Sequence, residues 1–279
     1  MRLYRVNVDG RTALAAEEDG TLVALAELPA SLRSLAGAVV FDPAASAAGD
    51  RLGSAEDLEL LAPIRPGKIV AIGLNYQSHR DEAEMPAPAT PLVFAKFPTS
   101  VIGPRDAIVV DRSITQQVDW EVELAVVVGT HMRRVAAADA LAHVAAYTVS
   151  SDVSARDVQF SDGQFVRAKS LDTFCPLGPC LVTPDEFGDP QAKRLRTLVN
   201  GEAVQDSNTS LMTTPVAELL AFCSTNFTLE PGDLLLTGTP SGCGYFATPP
   251  RALQAGDLLE SEIEGIGALR NDVTDLVIA

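Results

Sequence analysis

Basic residues are scarce in this 279-residue sequence, in which 21 lysines and arginines stand against 37 aspartates and glutamates. The formal net charge is −16, and no basic run offsets it. Because binding to a phosphate backbone or an anionic membrane needs a positive surface, we expect neither nucleic acid nor a membrane as a partner. No apolar run reaches the roughly 20 residues that a membrane helix needs. The start, MRLYRVNVDGR, lacks the apolar segment of a signal peptide, so we expect a cytoplasmic protein.

Several sequence motifs are also missing. The four cysteines form no CxxC pair and lie near no histidine in the sequence, so zinc-ligand spacing is lacking and we expect reduced, mostly buried thiols. The glycine-rich stretch TGTPSGCG at 237–244 matches neither nucleotide-binding loop, and the sequence has no GxSxG nucleophile elbow. A turn of this kind presents backbone N–H groups to an anion such as a carboxylate. We therefore expect any catalysis to use a metal ion and water.

A proline- and glycine-containing segment divides the chain. Residues 1–64 show short strand and turn patterns, and LAPIRPGK then leads into the apolar run KIVAIGLNY. We place a boundary near Arg65. The sequence thus predicts a small β-rich N-terminal domain, 1–64, and a larger catalytic domain, 65–279.

Strand patterns outnumber helix patterns in the larger part. One helix is predicted from Ala136 to about Ala145, and a second starts at Pro215 with Thr214 as its N-cap. Asn200-Gly201 is a signal for a two-residue type I′ hairpin. Because strands and helices do not alternate regularly, a doubly wound sheet or a TIM barrel is disfavoured. The pattern predicts a β-rich α+β fold.

Acidic side chains alternate with apolar ones in the segment VDWEVELAVVVG. The alternation places Glu121 and Glu123 on the same strand face, about 7 Å apart. An exposed strand face would show the same pattern, but AVVVG is apolar on both faces and indicates a central strand, where buried carboxylates need a cation or a proton. Asp152, which ends the next apolar run, is the best third ligand, although a turn or helix-cap aspartate is the alternative. Oxygen ligands favour Mg²⁺ or Mn²⁺, with Ca²⁺ also suitable.

His79 differs from the other two histidines because it opens a polar, proline-rich stretch after a strand. Glu82 follows three residues later, close enough on a helical turn to orient the imidazole as a general base. We expect residues 77–91 to form a mobile lid, although an exposed surface pair is the plainer alternative. Lys169 is surrounded by polar residues and is a candidate to balance the acids or to hold an anionic substrate, whereas the alternative is a surface lysine.

Together these motifs resemble the fumarylacetoacetate hydrolase family between residues 68 and 273. The similarity implies a mixed β-roll catalytic domain, a small N-terminal domain, and in most cases a homodimer. It also implies a divalent ion on Glu121, Glu123 and Asp152, water activation by His79 and Glu82, and substrate contact by Lys169. Three further residues fall in segments that line the family's pocket, and these are Arg156, Gln159 and Thr239. The motifs that carry the similarity are GLNYxxHxxE, DWEVELAVVxG, SDVSARDVQ, KSLDTFCPLGP, VNGEAVQDSNTS, LEPGDLLLTGTPSG and LQAGDLLESEIEGIGALRN.

The resemblance implies a small anionic oxo-acid substrate. The activity it favours is hydrolysis of a C–C bond in an acylpyruvate, which gives pyruvate and a carboxylic acid while the cation stabilises an enolate. Oxaloacetate decarboxylation and isomerisation of an unsaturated oxo-diacid are alternatives on the same site. A catalytically silent metal-binding protein is an alternative of another class, and it would have no need of the His79–Glu82 pair. The lid segment AEMPAPATP differs from the lids associated with any one substrate, so the sequence does not identify the acyl group of the substrate.

Overall fold

β-Strands form most of the regular structure in the computed structural model, which describes residues 1–277. The predicted β-rich α+β fold is confirmed. The strands are β1 (Arg2–Val8), β2 (Arg11–Glu18), β3 (Thr21–Leu25), β4 (Arg51–Gly53), β5 (Leu60–Leu61), β6 (Ile69–Gly73), β7 (Leu92–Lys96), β8 (Val101–Ile102), β9 (Ile108–Val110), β10 (Val118–Asp119), β11 (Val122–Val128), β12 (Val144–Ser151), β13 (Ser154–Ala155), β14 (Cys175–Val182), β15 (Arg194–Val199), β16 (Glu202–Asn208), β17 (Leu234–Leu236), β18 (Leu258–Ile263) and β19 (Gly267–Asp275).

A 12-stranded sheet forms the centre of the molecule, with the order β4-β3-β2-β1-β14-β12-β11-β17-β6-β7 and with β5 and β8 attached to β1 and β14. Every residue of β11 and β12 is buried, so the expectation that the acidic strand is central is confirmed. These two strands pair antiparallel, with Val122 opposite Ser151 and Glu123 opposite Ser150. β11 carries β-branched and aliphatic residues on both faces, and each face packs against an apolar core. This pattern is typical of a strand that has a neighbouring strand on each side.

A second sheet of five strands, in the order β16-β15-β18-β19-β9, packs near β11 and β12. Its inward-facing Leu195, Ile263 and Leu269 join the apolar cluster of the main sheet. The β15–β16 hairpin turns at Asn200 and Gly201, whose φ angles are 53° and 79°. Both angles are positive, as a type I′ turn requires, so the predicted hairpin is confirmed. A short two-stranded pair, β10 and β13, completes the strands of residues 1–277.

The N-terminal strands continue the main sheet. β1 pairs antiparallel with β14, so the sheet runs without a break from residues 1–64 into the rest of the chain. Leu3, Leu14 and Leu32 lie in one apolar cluster with Ala125 and Leu177 from the larger part. The boundary near Arg65 stays a prediction. The shared core implies that the two parts are mechanically coupled wherever the boundary is drawn.

Short helices connect the strands, and the first predicted helix ends early. The chain is helical only over Ala137–Ala140, makes a 3₁₀ turn over Leu141–His143, and enters β12 at Val144. The prediction that this helix continues to about Ala145 is wrong because the run VAAYTV pairs with β11 and β14, and tertiary pairing overrides the helix propensity of alanine. The helices are α1 (Gln77–Glu82), α2 (Ala137–Ala140), α3 (Arg156–Asp162), α4 (Val166–Lys169), α5 (Pro184–Phe187) and α6 (Val216–Asn226).

Helix α6 confirms the second predicted helix, although its N-cap is Pro215 and not Thr214. Pro215 has φ −62° and ψ 158°, outside the helical region, so the first helical residue is Val216. The four cysteines are unpaired and buried, as predicted. Among residues 1–277, none of the helices is long and apolar enough to cross a membrane.

The shared core predicts a single unfolding transition for the chain. The substitution Leu3→Ala, at a side chain 1% exposed, opens a cavity between β1 and the main sheet and should lower the free energy of unfolding by about 2–5 kcal/mol. The matched change Leu211→Ala, at a side chain 61% exposed, should alter it by less than about 0.5 kcal/mol. Differential scanning calorimetry measures both effects. Separate transitions for the two parts of the chain would contradict the coupling.

Candidate active site

Three carboxylates meet where β11 begins and β12 ends. Glu121 immediately precedes β11, Glu123 is its second residue, and Asp152 directly follows β12. Antiparallel pairing brings these strand ends together, and the Asp152 N–H donates to the Glu121 carbonyl at 2.8 Å. One oxygen from each carboxylate lies within 4.8 Å of the others, and all three side chains are buried. The structure therefore brings together the three residues that the sequence singled out for a metal.

The strand alternation does not extend back to Asp119 as the sequence suggested. Trp120 and Glu121 lie between β10 and β11, outside both strands. Asp119 instead accepts from the Arg156 guanidinium at 2.8 Å and from the Gly244 N–H at 2.7 Å. Asp119 therefore does not belong to the carboxylate cluster, and it holds Arg156, which also pairs with Glu121.

Lysines neutralise two of the three carboxylates. Lys169, at the end of α4, donates to Glu121 at 2.7 Å and also to Asp152. Lys96, at the end of β7, donates to the other oxygen of Asp152 at 2.7 Å and is 1% exposed. Sequence analysis missed Lys96, although a lysine that closes the apolar run LVFAK is a usable signal for a buried cation.

The charge environments of Glu121 and Glu123 are opposite. Burial raises the pKa of Glu121, but Lys169 and Arg156 outweigh it and hold that pKa well below its usual range. Burial raises the pKa of Glu123, and the neighbouring charges of Asp152 and Glu121 raise it further. Glu123 accepts the Gly238 N–H at 2.7 Å, and within residues 1–277 it has no hydrogen bond from a basic side chain. It therefore requires a proton or a nearby cation.

This donor set suits a hard divalent cation. Carboxylate oxygens are the ligands that Mg²⁺, Mn²⁺ and Ca²⁺ prefer, and three of them converge here. The under-compensated Glu123 carboxylate supports the same conclusion, since a cation between Glu123 and its neighbours would remove their repulsion. The residues present thus fit a divalent metal, and the geometry does not select among these ions.

His79 and Glu82 lie on α1, one helical turn apart. The His79 Nδ1 lies 2.8 Å from Glu82 Oε1, which makes Nδ1 the protonated nitrogen because an ionised carboxylate only accepts. The opposite oxygen, Glu82 Oε2, accepts the Gly242 N–H at 2.7 Å. His79 is buried and lines the same cavity as Glu121 and Glu123. With Nδ1 protonated, Nε2 carries the free lone pair of the imidazole.

The glycine-rich loop 237–244 binds carboxylates of the protein itself. Its N–H groups at Gly238, Gly242 and Gly244 donate to Glu123, Glu82 and Asp119. The sequence suggested that such a turn presents its amides to an anion such as a carboxylate, and here the anions are side chains of the protein itself. Gly242 has φ 103°, and a Cβ there would lie 2.0 Å from the Val204 carbonyl, so this position requires glycine.

The remaining predicted site residues also line the cavity. Arg156 and Gln159 lie on α3 and are joined by a 3.0 Å hydrogen bond, and Thr239 lies on the loop. Thr239 accepts a hydrogen bond from the side-chain amide of Gln205 at 2.9 Å. Gln205 is buried, and sequence analysis missed it. Apolar side chains also line the cavity, and they are Ile72, Leu74, Met85, Phe94, Phe160, Phe165 and Phe246.

The cavity has little free space. Its free volume is about 30 Å³, room for roughly one water molecule, so a substrate enters only if part of the wall moves. His79 on helix α1 forms part of the cavity wall. The helix is anchored by Arg80, which donates hydrogen bonds to the Leu74 carbonyl and to the Thr213 hydroxyl. Residues 86–90 are exposed. The mobility of residues 77–91 stays a prediction, and the small free volume of the cavity supports it.

The chain is similar to known proteins in both sequence and structure. The family model described as fumarylacetoacetate (FAA) hydrolase C-terminal matches residues 68–274. A mitochondrial oxaloacetate tautomerase of Rattus norvegicus is 47% identical over 215 residues, covering 76% of this chain and 68% of that protein. The corresponding Homo sapiens protein is 46% identical over 220 residues, covering 78% and 70%.

Solved structures show the same architecture. A fumarylacetoacetate hydrolase from Exiguobacterium antarcticum is 38% identical with a TM-score of 0.86, covering 99% of this chain and 100% of that one. A 2-hydroxyhepta-2,4-diene-1,7-dioate isomerase from Mycobacterium marinum is 38% identical with a TM-score of 0.77, covering 99% and 98%. The predicted β-roll architecture is therefore confirmed along nearly the whole chain.

Removing one carboxylate should weaken metal binding. In Glu123→Gln the side chain keeps its size but loses its charge, so we expect the Mn²⁺ affinity to fall by at least about tenfold. The matched control is Glu82→Gln, which alters a carboxylate that contacts His79 but lies outside the cluster, and it should keep the affinity for Mn²⁺. Isothermal titration calorimetry measures both. Equal Mn²⁺ affinity in Glu123→Gln and the unchanged protein would rule out this cluster as the metal site.

Hydrogen exchange tests the lid. Amides of residues 77–91 should exchange faster than those of β11 in the metal-free protein, because the segment must open to admit a substrate. Adding Mn²⁺ together with oxalate, a mimic of the pyruvate enolate, should slow exchange in the segment and leave β11 unchanged. Slow exchange that is insensitive to these additions would contradict the lid.

Proposed function

The chain belongs to the fumarylacetoacetate hydrolase family, and we propose that it is a metal-dependent enzyme that moves a proton between carbon and oxygen of a small 2-oxo acid. Oxaloacetate is the first substrate to test. The observation that carries this proposal is the position of His79, whose ring is oriented by Glu82 and lines the same cavity as Glu121 and Glu123. A base beside a cation site is what proton removal next to a carbonyl requires.

A divalent cation on the carboxylates would polarise the carbonyl of a 2-oxo acid and stabilise the negative charge of its enolate. Glu82 keeps the Nδ1 proton of His79 in place, so that Nε2 carries the lone pair. Nε2 takes a proton from the carbon next to the carbonyl and returns it to the enolate oxygen. The net reaction is tautomerisation and consumes nothing.

Basic side chains suit an anionic substrate. Lys169 lines the cavity beside Glu121, and Arg156 lies between Asp119 and Glu121. Without a cation the three carboxylates would repel a 2-oxo acid, so we expect the metal to bind before the substrate. Gln159 and Thr239 supply further polar contacts, and we propose that they orient the substrate.

The names of the relatives favour oxaloacetate as the substrate. The Rattus norvegicus and Homo sapiens proteins, which are 47% and 46% identical, are named oxaloacetate tautomerases. A divalent-metal-dependent C–C hydrolase acting on an acylpyruvate is the second candidate, and the apolar wall of Phe160, Phe165 and Phe246 favours it because such a surface fits an acyl group. In that reaction His79 would take its proton from water. Oxaloacetate decarboxylation and oxo-diacid isomerisation are further candidate reactions, because each of them also passes through an enolate.

We also propose a homodimer, on the strength of the family resemblance. The cytoplasmic location stays a prediction, and the names of the mammalian relatives include the word mitochondrial. Equilibrium sedimentation of the purified protein measures the assembly directly.

Substitution of His79 tests the proposed base. In His79→Ala the rate of oxaloacetate tautomerisation should fall by roughly 10²–10⁴-fold, the usual effect of losing a positioned acid–base group. The affinity for Mn²⁺ should stay the same because His79 is not among the three carboxylates. His143→Ala is the matched control, since His143 contacts Thr130 and does not line the cavity. The loss of enol absorbance gives the tautomerisation rate.

Comparing substrates then separates the two reactions. If oxaloacetate tautomerisation survives His79→Ala while acetylpyruvate hydrolysis is lost, water activation is the function of this residue and the hydrolase assignment replaces the tautomerase. If both rates survive, His79 is not the base. In deuterated water, a tautomerase should incorporate deuterium at the carbon next to the carbonyl.

A further inference from the structure

A second cluster of metal-binding groups lies beside the first and shares no residue with it. His79, Glu82 and Cys243 place Nδ1, a carboxylate oxygen and Sγ within 4.8 Å of one another. We propose that these three side chains form a Zn²⁺-selective site, and that an ion bound there inhibits the enzyme. The inhibitory part rests on the proposed function of His79, whereas the binding part does not.

The distances approach those of a tetrahedral zinc site. With Zn–N near 2.0 Å and Zn–S near 2.3 Å, a tetrahedral arrangement separates nitrogen from sulfur by about 3.5 Å. Cys243 Sγ lies 3.7 Å from His79 Nδ1. The Nδ1 to Glu82 Oε1 distance of 2.8 Å is that of a hydrogen bond and would have to widen by about half an ångström. A small rotation of the Glu82 carboxylate supplies this change.

The backbone around the cluster holds the ligands in place. The Gly242 N–H donates to Glu82 Oε2 at 2.7 Å, which leaves Oε1 directed at the imidazole. Cys243 follows Gly242 directly in the chain. The hydrogen bond that fixes the Glu82 carboxylate therefore also restrains the backbone of Cys243. Contacts of this kind orient ligands before an ion arrives and commonly accompany metal sites in proteins. Three protein ligands and one open position are typical of zinc bound at a reactive centre.

The ligand types separate the two sites chemically. Sulfur and imidazole nitrogen favour Zn²⁺ and Co²⁺ over Mg²⁺, whereas the three carboxylates favour the harder ions. Glu121, Glu123 and Asp152 should therefore hold Mg²⁺ or Mn²⁺ while the second cluster stays available. Excess Mg²⁺ should not displace Zn²⁺ from a site that contains a thiolate.

Coordination would remove the lone pair that catalysis needs. The thiol proton of Cys243 leaves to solvent, and the Nδ1 proton of His79 moves to Nε2 so that Nδ1 can bind the ion. Nε2 then carries hydrogen and no longer accepts a proton from a substrate. Glu82 also ceases to orient the ring, since its Oε1 binds the ion. Zn²⁺ would thus inhibit without entering the carboxylate cluster.

Cobalt spectroscopy tests the binding. Co²⁺ added to Mg²⁺-saturated protein should produce the near-ultraviolet charge-transfer band of a thiolate bound to Co²⁺, which an all-oxygen site cannot give. Cys243→Ala should abolish the band. The matched control is Cys175→Ala, because Cys175 is another buried thiol and contacts Ser150, the strand partner of Glu123. A band that survives Cys243→Ala, or the absence of any band in the unchanged protein, would overturn the site.

Inhibition is then measured with Zn²⁺ in the presence of excess Mg²⁺. The Zn²⁺ concentration that halves the rate should rise at least tenfold in Cys243→Ala and stay the same in Cys175→Ala. Should Cys243→Ala fold poorly, Cys243→Ser keeps the size of the side chain and replaces the thiolate with a poor zinc ligand. A cobalt band without zinc inhibition would establish the metal site and refute His79 as the base, so the two failures are distinguishable.

Discussion

Three carboxylates withdrawn from water impose the charge balance on which the rest of the site depends. Glu121, Glu123 and Asp152 are buried at the ends of two central strands, where an uncompensated ion costs several kcal/mol. Lys96 and Lys169 are buried for the same reason, since each replaces the hydration that Asp152 and Glu121 lost. Within residues 1–277, Glu123 accepts a hydrogen bond from a backbone amide and none from a basic side chain, which makes it the position where an added cation gains most. The metal preference thus follows from a local deficit of positive charge.

The glycine-rich loop connects three parts of the site that lie far apart in sequence. Gly238 holds Glu123 of the cluster, Gly242 holds Glu82 of α1, and Gly244 holds Asp119, which in turn fixes Arg156. Backbone amides do this with little loss of side-chain entropy, because the loop is already ordered by its packing. A Cβ at Gly244 would come within 2.5 Å of Trp120, so close packing also requires glycine there. One loop therefore sets the relative positions of the proposed base, the cluster and the cavity wall.

Local patterns predicted the parts of the site that depend on neighbouring residues in sequence. The pairing of Glu121 with Glu123 follows from strand spacing, and the contact of His79 with Glu82 follows from one helical turn. Lys96, Gln205 and Cys243 were missed because each reaches the site only through tertiary packing, and Cys243 is 164 positions from His79. The predicted helix beyond Ala140 failed for a related reason, since alanine-rich sequence there is recruited as the central strand β12.

Movement of α1 would couple the opening of the cavity to the orientation of the proposed base. The Glu82 carboxylate that contacts His79 is also held by the Gly242 amide, and that bond joins α1 to the glycine-rich loop. If α1 moves away to admit a substrate, the bond breaks and the imidazole loses its fixed tautomer. A base that is oriented only in the closed state abstracts a proton only after water has been excluded.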